Sequence, residues 1–366
     1  MSVSEIKVAI AGVGNCASAL LQGIQYYKTC RNQGQVGLMH PSIGGYAAGD
    51  IKVVAAFDID QRKVGKPLHE AIFALPNCTK VFVNEMESSS VIVKRGRLHD
   101  GMASHMEAYP ADRRFLLSEQ AECDVVSELK NSGAQILLNF LPVGSVKATE
   151  YYAESALQAG VAFINCIPVF IASDPSWVAR FASAGLPVIG DDIKSQLGAT
   201  IIHRMLTRLC EERGVRVDRT YQLNVGGNTD FLNMLNRDRV SMKKVSKTEA
   251  VQSQLEIPLK EEEIHIGPSD YIPWLNDNKV CHVRLEGTQF GGMKVNLDLK
   301  LSVEDSPNSA GVVIDLIRCC KIALDRGISG TVTSVAAYTM KHPLIQYTDE
   351  EARILMEQFI AGEMNS

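Results

Sequence analysis

At 366 residues the chain is longer than a typical single hydrophobic core, so its length predicts two domains. Its hydrophobic fraction of 46% is ordinary for a globular protein, and its formal net charge of -5 gives no electrostatic case for binding nucleic acid or an anionic membrane. The nine cysteines include no CxxC pair, which favours reduced thiols, and the N-terminus lacks the basic and apolar segments of a signal peptide. We therefore expect a cytoplasmic protein that has neither nucleic acid nor a membrane as partner.

The first motif is a glycine turn between a strand and a helix. The apolar run Ile6–Ala11 predicts a buried strand, and residues 18–27 predict a helix with one apolar face. Between them stands Gly12-Val13-Gly14-Asn15-Cys16-Ala17, in which Gly12 permits a tight turn and Gly14 lets a pyrophosphate approach the backbone. Amides at the helix N-terminus would face the phosphate charge. The motif predicts a dinucleotide site, with a plain turn as the alternative.

A second predicted strand, residues 51–57, ends in Asp58. An acidic side chain at this point accepts hydrogen bonds from ribose hydroxyls and repels a 2′-phosphate, so NAD is favoured over NADP. Asp58 lies further along the chain than the usual spacing of about 20 residues. An insertion, roughly residues 28–50, must therefore loop out between the two elements.

Strands and helices alternate in the following segment. The predicted elements are a strand at 136–141, a helix at 145–158, a strand at 161–167, a helix at 175–184 and a strand at 186–189. This rhythm predicts an α/β fold with a Rossmann-like, doubly wound parallel sheet. Because ligands collect at the carboxyl ends of such strands, the segments 141–145, 165–168 and 190–195 are candidate site loops.

The pattern changes after a predicted helix at residues 198–210. Apolar and polar residues alternate strictly over residues 293–303, which indicates a half-buried strand, and residues 280–286 predict its partner across a glycine-containing turn. We predict a second α+β domain at residues 198–305, built on a largely antiparallel sheet. The helix that follows should return to the NAD-binding domain, which comprises residues 1–197 plus 306–366.

Six segments occur in the order of one family's motifs. They are Gly-Val-Gly-Asn-Cys-Ala-Ser from Gly12, Leu-Pro-Val-Gly-Ser from Leu141, Gly-Asp-Asp-Ile-Lys-Ser-Gln from Gly190, Asn-Val-Gly-Gly-Asn-Thr-Asp-Phe-Leu-Asn-Met from Asn224, His-Ile-Gly-Pro-Ser-Asp from His265 and Glu-Asp-Ser-Pro-Asn-Ser-Ala-Gly from Glu304. Together they resemble the myo-inositol-1-phosphate synthase family in its shorter bacterial and archaeal form. The resemblance covers nearly the whole chain.

The resemblance implies an NAD-dependent isomerase that converts D-glucose 6-phosphate into 1L-myo-inositol 1-phosphate (1D-myo-inositol 3-phosphate). In that reaction NAD⁺ oxidises C5, enolisation and intramolecular aldol attack on C1 close the ring, and the NADH formed reduces the ketone. A sugar phosphate partner and a homotetramer are implied as well, with residues 198–305 as the catalytic and oligomerisation domain. Some members of the family use a cation, divalent or monovalent, for which Asp192 or Asp305 could offer an oxygen ligand.

The resemblance also implies site residues. The catalytic set is Lys243, Lys247, Lys279, Lys341, Asp192 and Asp305. The substrate set is Lys194, Asn228, Asp230 and Asn233. The cofactor set, which includes residues predicted from their position at strand ends and in the irregular segment 83–109, is Gly12, Gly14, Asn15, Cys16, Asp58, Asp100, Pro142, Asp191 and Ser306. An enolate and an aldol alkoxide need fixed positive charge, and a buried ammonium with a lowered pKa can also transfer protons. Which lysine serves which step stays open.

Each site residue has a structural alternative. Lys243 and Lys247 are spaced i, i+4 and could form a solvated helix face. Asp192 and Asp305 could cap helices, and Asn228 could be a turn residue. Two functional alternatives also stay open. One is an ordinary NAD-dependent dehydrogenase of a phosphorylated or carboxylated polyol or semialdehyde, and the other is a non-catalytic NAD-binding protein.

Overall fold

The computed structural model describes residues 5–29, 36–267 and 270–366. Part of the predicted insertion, residues 30–35, lies outside the described residues, as do the Pro268-Ser269 positions of the motif that begins at His265. Two sheets organise the described chain, one of seven strands and one of five. No helix in these three ranges is both long and apolar enough to span a bilayer.

The strands are β1 (Ile6–Ala11), β2 (Ile51–Asp58), β3 (Lys94–Arg95), β4 (Ile136–Asn139), β5 (Ala162–Asn165), β6 (Pro187–Ile189), β7 (Arg216–Gly226), β8 (Ile264–Ile266), β9 (Asp270–Tyr271), β10 (Asn278–Thr288), β11 (Lys294–Glu304) and β12 (Gly330–Thr331). The α-helices are α1 (Asn15–Thr29), α2 (Leu68–Ala71), α3 (Val125–Ser132), α4 (Val146–Ala159), α5 (Pro175–Ser183), α6 (Ala199–Glu212), α7 (Thr229–Asn233), α8 (Ser241–Gln252), α9 (Asp305–Asp325), α10 (Thr333–Thr339) and α11 (Asp349–Ala361). Short 3-10 helices lie at Ala48–Asp50, Ser104–Ala108, Arg237–Val240, Glu261–Glu263, Pro273–Leu275 and Phe290–Gly292.

The seven-stranded sheet is parallel throughout, with the strand order β12-β6-β5-β4-β1-β2-β3. From β1 the chain builds the sheet outward through β2 and β3, and it then returns to pair β4 on the other side of β1. This reversal of strand order opens a crevice at the carboxyl ends of β1 and β4, where doubly wound folds bind ligands. The predicted α/β class with a Rossmann-like parallel sheet is confirmed.

Helices cover both faces of the parallel sheet, which is why its central strands are apolar without alternation. All four residues of β4 are buried. On one face Leu20 of α1, Leu316 of α9 and Met356 of α11 pack against the strands, and on the other face Leu129 of α3 and Phe181 of α5 do so. The result is a three-layer core that holds the strand ends in place.

The five-stranded sheet is built around β10, which pairs antiparallel with β7 and with β11. Two short strands, β8 and β9, pair parallel with β7, a feature that the sequence pattern did not reveal. Cys281, Val283 and Leu285 of β10 turn to the buried face, where Leu206 of α6 packs against them. The sheet is therefore largely antiparallel, as predicted, and the strict alternation of β11 corresponds to one face that packs and one that is exposed.

The 21-residue helix α9 carries the chain from the end of β11 back to the parallel sheet. Its residues Leu316 and Ile317 are fully buried in the core of that sheet, and β12 then pairs with β6 at the edge. This path follows the predicted return to the first sheet. The division into two domains at residues 197/198 and 305/306 stays a prediction.

Candidate active site

A cavity of about 170 Å³ lies at the reversal of strand order, between the parallel sheet and helices α7 and α8. Its walls come from the glycine turn after β1, the loops after β4, β5 and β6, and the starts of α8, β10 and α9. The predicted site residues that line it are Gly14, Asn15, Cys16, Pro142, Asp192, Asn228, Asp230, Lys243, Lys247, Lys279, Asp305, Ser306 and Lys341. Tertiary structure thus gathers residues from both halves of the chain at one place.

Helix α8 presents Lys243 and Lys247 from one face, because residues four apart lie on the same side of a helix. The ammonium of Lys243 lies 3.1 Å from Oδ2 of Asp230, and it also contacts Sδ of Met234 at 3.1 Å. Lys247 is only 7% exposed. The two lysines therefore do not form a solvated helix face.

Lys279, at the start of β10, forms an ion pair with Asp305, the first residue of α9, and their atoms Nζ and Oδ1 lie 3.1 Å apart. Burial alone would raise the pKa of Asp305, but the charge and hydrogen bond of Lys279, together with the charges of Lys243 and Lys341, lower this pKa below its ordinary value. Burial alone would likewise lower the pKa of Lys279, but the charge and hydrogen bond of Asp305, with smaller contributions from Cys281 and Asp230, raise it instead. Both groups are therefore charged at neutral pH. Asp305 is not an N-cap, since Glu304 holds that position.

Lys341 forms a second ion pair, with Asp192, in which Nζ and Oδ1 lie 2.7 Å apart. Ser246 of α8 donates a hydrogen bond of 2.7 Å to the other carboxylate oxygen. Burial would raise the pKa of Asp192, but the Lys341 charge and the further charge of Lys243 lower it. The pKa of Lys341 is lowered by burial despite its partner. Through Ser246, this pair links the end of the parallel sheet to helix α8.

The backbone of Asp192 has a φ of 60°, a left-handed conformation that residues other than glycine rarely adopt. Two hydrogen bonds hold it there: its amide donates to the Ile167 carbonyl at 3.2 Å, and its own carbonyl accepts from the Lys341 amide at 2.7 Å. No helix begins directly after Asp192, because the next one, α6, starts at Ala199. The helix-cap alternative is therefore wrong, and this unusual backbone directs the carboxylate into the cavity.

Lys247 differs from the other three lysines in having no carboxylate partner. Within the described ranges, its ammonium makes no hydrogen bond and no ion pair. Burial, joined by the positive charges of Lys243, Lys279 and Lys341, lowers the pKa of Lys247 well below its ordinary value. A buried amine whose pKa is lowered in this way can serve as both a proton acceptor and a proton donor.

Asp277 is a buried carboxyl group that the sequence prediction did not include. It accepts hydrogen bonds from Nδ2 of Asn228 at 2.9 Å and from the amide and hydroxyl of Ser306 at 3.2 and 2.9 Å. Burial, with the nearby Asp305 charge, raises the pKa of Asp277 to about 7. Its position two residues before Lys279 could have identified Asp277 from the sequence, because side chains two apart on extended backbone share a face.

The predicted cofactor side of the cavity is the glycine turn. A Cβ on Gly12, which has a φ of 95°, would lie 2.7 Å from the Phe140 carbonyl oxygen, so only glycine fits. A Cβ on Gly14 would meet no atom within 4 Å, so this side of the turn is open. The amides that begin α1 have no acceptor within the helix and face the opening. The cradle therefore has the shape and the donors that a dinucleotide diphosphate requires.

Asp58 stands at the end of β2 and lines an extension of the cavity together with Gly12, Gly14 and Pro142. Its Oδ2 accepts a hydrogen bond of 2.8 Å from the Val13 amide, which ties it to the glycine turn. The long insertion before it does not displace it, because β2 pairs with β1 in register at Ala11 and Phe57. These residues would hold the adenosine end of an NAD molecule.

Cys16 and Asn15 begin α1 at the cavity wall. Burial raises the pKa of the Cys16 thiol to about 12, so it is a neutral packing group rather than a nucleophile. Oδ1 of Asn15 accepts hydrogen bonds from the amides of Cys78 and Thr79 at 2.7 and 3.1 Å. Asn228 is the N-cap of α7, where its side chain accepts from the amides of Asp230 and Phe231.

Two predicted residues point away from the cavity. Lys194 is buried behind the loop after β6, where its ammonium donates to the Ala337 carbonyl at 3.0 Å and pairs with Asp349 at 3.1 Å. Asn233 donates to the Val143 carbonyl at 2.8 Å and supports the loop after β4. The structure therefore does not place either residue where it would contact a substrate in the cavity, because each is engaged within the fold.

Two predicted cofactor residues hold loops in place by hydrogen bonds and do not themselves line the cavity. Asp191 is fully buried and accepts hydrogen bonds from Nδ2 of Asn165 and from the amides of Ile171, Ala172 and Ser173. Asp100 accepts from the amides of Lys147 and Ala148 and so binds the N-terminus of α4. Both carboxylates position loops around the cofactor side, and neither lines the cavity itself.

A cation bound by protein ligands alone finds little support in the geometry. Over the described ranges, no three His, Cys, Asp or Glu side chains converge as a ligand set. Asp192 and Asp305, the two predicted ligands, are each paired with a lysine.

Comparison with known proteins agrees with the geometry. Residues 198–306 match the family model described as myo-inositol-1-phosphate synthase. The inositol-3-phosphate synthase of Mycobacterium tuberculosis is 52% identical over 360 residues, covering 98% of this chain and 96% of its own, and that of Corynebacterium glutamicum is 52% identical over 366 residues, covering 98% and 99%. A myo-inositol-1-phosphate synthase-related protein from Thermotoga maritima superposes with a TM-score of 0.82 at 26% identity, over 98% of each chain. The chain therefore belongs to the myo-inositol-1-phosphate synthase family.

Proposed function

We propose that this protein is an inositol-3-phosphate synthase, an NAD-dependent isomerase that converts D-glucose 6-phosphate into 1L-myo-inositol 1-phosphate. The observation that carries the proposal is the convergence of four lysines beside the glycine turn, with Lys247 buried and unpaired among them. Family membership supports the same reaction. A dehydrogenase that only moves hydride needs no such group of cations.

The residues that would hold NAD are Gly12, Gly14, Asn15, Asp58 and Pro142, which form the open turn and its extension. When bound, NAD would supply reversible hydride transfer at C5 of the substrate. Lys341 and Lys279 face the same cavity as fixed, carboxylate-paired charges. Preorganised charges of this kind stabilise a developing oxyanion without reorganisation.

Lys247 supplies the proton transfers. As a neutral amine it removes a proton from C6 once C5 is a ketone, and the electron pair forms the enolate. C6 then attacks C1, and the C6–C1 bond closes the ring. The ammonium of Lys247 returns its proton to the alkoxide oxygen on C1, so the lysine ends as it began. The lowered pKa of Lys247 suits both steps.

The test is phosphorus NMR of the purified protein with D-glucose 6-phosphate and NAD⁺, with NADH absorbance followed in parallel. A new inositol phosphate signal without accumulating NADH supports the proposal, and stoichiometric NADH without a cyclised product indicates a dehydrogenase instead. Lys247→Ala should remove the new signal. Lys244→Ala, an exposed lysine on the same helix, is the matched control and should retain it.

We also propose a homotetramer in the cytoplasm. In the described chain β11 is an eleven-residue edge strand of the five-stranded sheet, and an open edge of this length offers unpaired backbone groups with which a second chain can pair. The eight cysteines that the structure describes are all free thiols, as a reducing compartment requires. Light scattering of the purified protein should give four times the chain mass, and a stable monomer would contradict the assembly.

A further inference from the structure

Lys63 is a fully buried lysine outside the predicted site. It lies in the turn that follows β2, and its side chain is 1% exposed. Together with Gly12, Gly14 and Asp58 it lines the extension of the cavity at the cofactor side. A lysine is almost never buried completely unless it is paired, so the position of Lys63 calls for a physical reason.

The hydrogen bonds of Lys63 are incomplete within the described part of the chain. Its ammonium donates to Oδ1 of Asn77 at 2.8 Å. The nearest carboxylate oxygen, Oδ2 of Asp58, is 3.9 Å away and beyond hydrogen-bond distance. An ammonium has three donors, so two of them are left for other acceptors. Burial lowers the pKa of Lys63 more than the charges of Asp58 and Asp60 raise it, which shows that the cation lacks sufficient compensation.

The carboxylate oxygens of Asp58, in contrast, already accept three hydrogen bonds from backbone amides. Its Oδ2 accepts from the Val13 amide at 2.8 Å, and its Oδ1 accepts from the amides of Ile59 and Asp60 at 2.7 and 2.8 Å. Asn77, the partner of Lys63, donates to the Val13 carbonyl at 3.1 Å. Asp58 and Asn77 therefore fix the glycine turn from both sides of Val13, and Lys63 is the member of this group that has donors to spare.

We propose that Lys63 donates hydrogen bonds to the hydroxyl oxygens of the adenosine ribose of NAD, and that it shares this ribose with Asp58. The inference rests on the proposed use of NAD. In this arrangement Lys63 donates hydrogen bonds to the adenosine ribose and Asp58 accepts hydrogen bonds from it, so both residues contribute to the affinity for NAD. Lys63 is a binding residue in this role and takes no part in the chemistry at the sugar.

The test is calorimetric titration of NAD⁺ into the wild-type protein and the Lys63→Met variant. Lys66→Met is the matched control, because Lys66 is exposed three residues further on. Loss of a charged donor should raise the Kd of Lys63→Met by about 10- to 100-fold and leave that of Lys66→Met unchanged. Lys63→Gln, which keeps a donor for Asn77 without the charge, provides a second variant if Lys63→Met does not fold.

Cofactor analogues distinguish ribose binding from a structural role. NAD⁺ that lacks the 2′- or 3′-hydroxyl of the adenosine ribose should bind the wild-type protein more weakly, while the Lys63 variants should lose little further affinity for at least one analogue. Equal losses in the wild-type protein and both variants would overturn the inference, as would an unchanged Kd for NAD⁺ in the variants. Failure of the wild-type protein to bind NAD⁺ would overturn the proposed cofactor and this inference together.

Discussion

Replacement of Lys247 by methionine should stabilise the protein at neutral pH and abolish its activity. Methionine retains most of the buried apolar stem and removes an amino group that has neither a carboxylate nor a hydrogen-bond partner in the described chain. Burying an unpaired amino group is unfavourable whether it stays charged or gives up its proton, so the wild-type protein loses stability at this position. Activity should fall by about 100-fold or more, because a general acid–base group is lost.

The size of the effect follows from proton linkage. Because the pKa of Lys247 is lowered in the folded protein, the unfolded chain binds more protons between that pKa and the ordinary value of 10.5. The free energy of unfolding of the wild-type protein therefore rises with pH in this window, by at most about 1.4 kcal/mol per pH unit for one group. The variant lacks this contribution, so its advantage should shrink as the pH increases.

Urea denaturation of both proteins at several pH values from 7 to about 10 measures this difference, with the NAD concentration held constant because a bound ligand also stabilises. Lys244→Met is the control, since Lys244 is exposed on the same helix and its removal should leave the stability and its pH dependence unchanged. A stability difference between wild-type and Lys247→Met that does not change with pH would refute the reasoning. A variant that retains activity would refute the catalytic role.

Three further changes test other parts of the site. Asp192→Asn removes the charge that faces Lys341 at 2.7 Å, and steady-state kinetics should show kcat/KM lowered by about 10- to 100-fold. Gly12→Ala places a Cβ 2.7 Å from the Phe140 carbonyl oxygen at a φ of 95°, so thermal unfolding should show a loss of about 1–3 kcal/mol and calorimetry weaker NAD⁺ binding. Asp277, with its pKa raised from 3.8 to about 7, contributes stability that is complete below about pH 4 and is lost as the pH rises through 7, so Asp277→Asn should flatten the pH dependence of the unfolding free energy in that range.

Each of these three has an outcome that contradicts it. Unchanged kinetics in Asp192→Asn would show that the Lys341 pair is only structural. Normal cofactor affinity and stability in Gly12→Ala would mean that the turn is not constrained by Phe140. A pH dependence of stability in Asp277→Asn equal to that of the wild-type protein would exclude a proton on Asp277.

Local sequence pattern was sufficient to predict the fold class and most elements. The apolar runs of β1, β4 and β5 and the alternation of β11 have periods that appear within a few residues, because backbone geometry sets which side chains share a face. The glycine turn is also local, since Gly12 and Gly14 act through their own backbone. The resemblance to the family added the candidate lysines.

Which groups pair was decided by tertiary structure alone. Asp305 and Lys279 are 26 residues apart in the chain, and Lys341 and Asp192 are 149 apart, so no periodicity joins them. The same holds for Lys247, which lacks a carboxylate partner while Lys243, Lys279 and Lys341 each have one. No local pattern distinguishes it from those three lysines. Lys194 lies in a loop beside the site but turns to Asp349, a choice that only packing determines. Sequence determined the elements and the kinds of charge because these are local properties, whereas burial and distance, which set each pKa, exist only once the chain has folded.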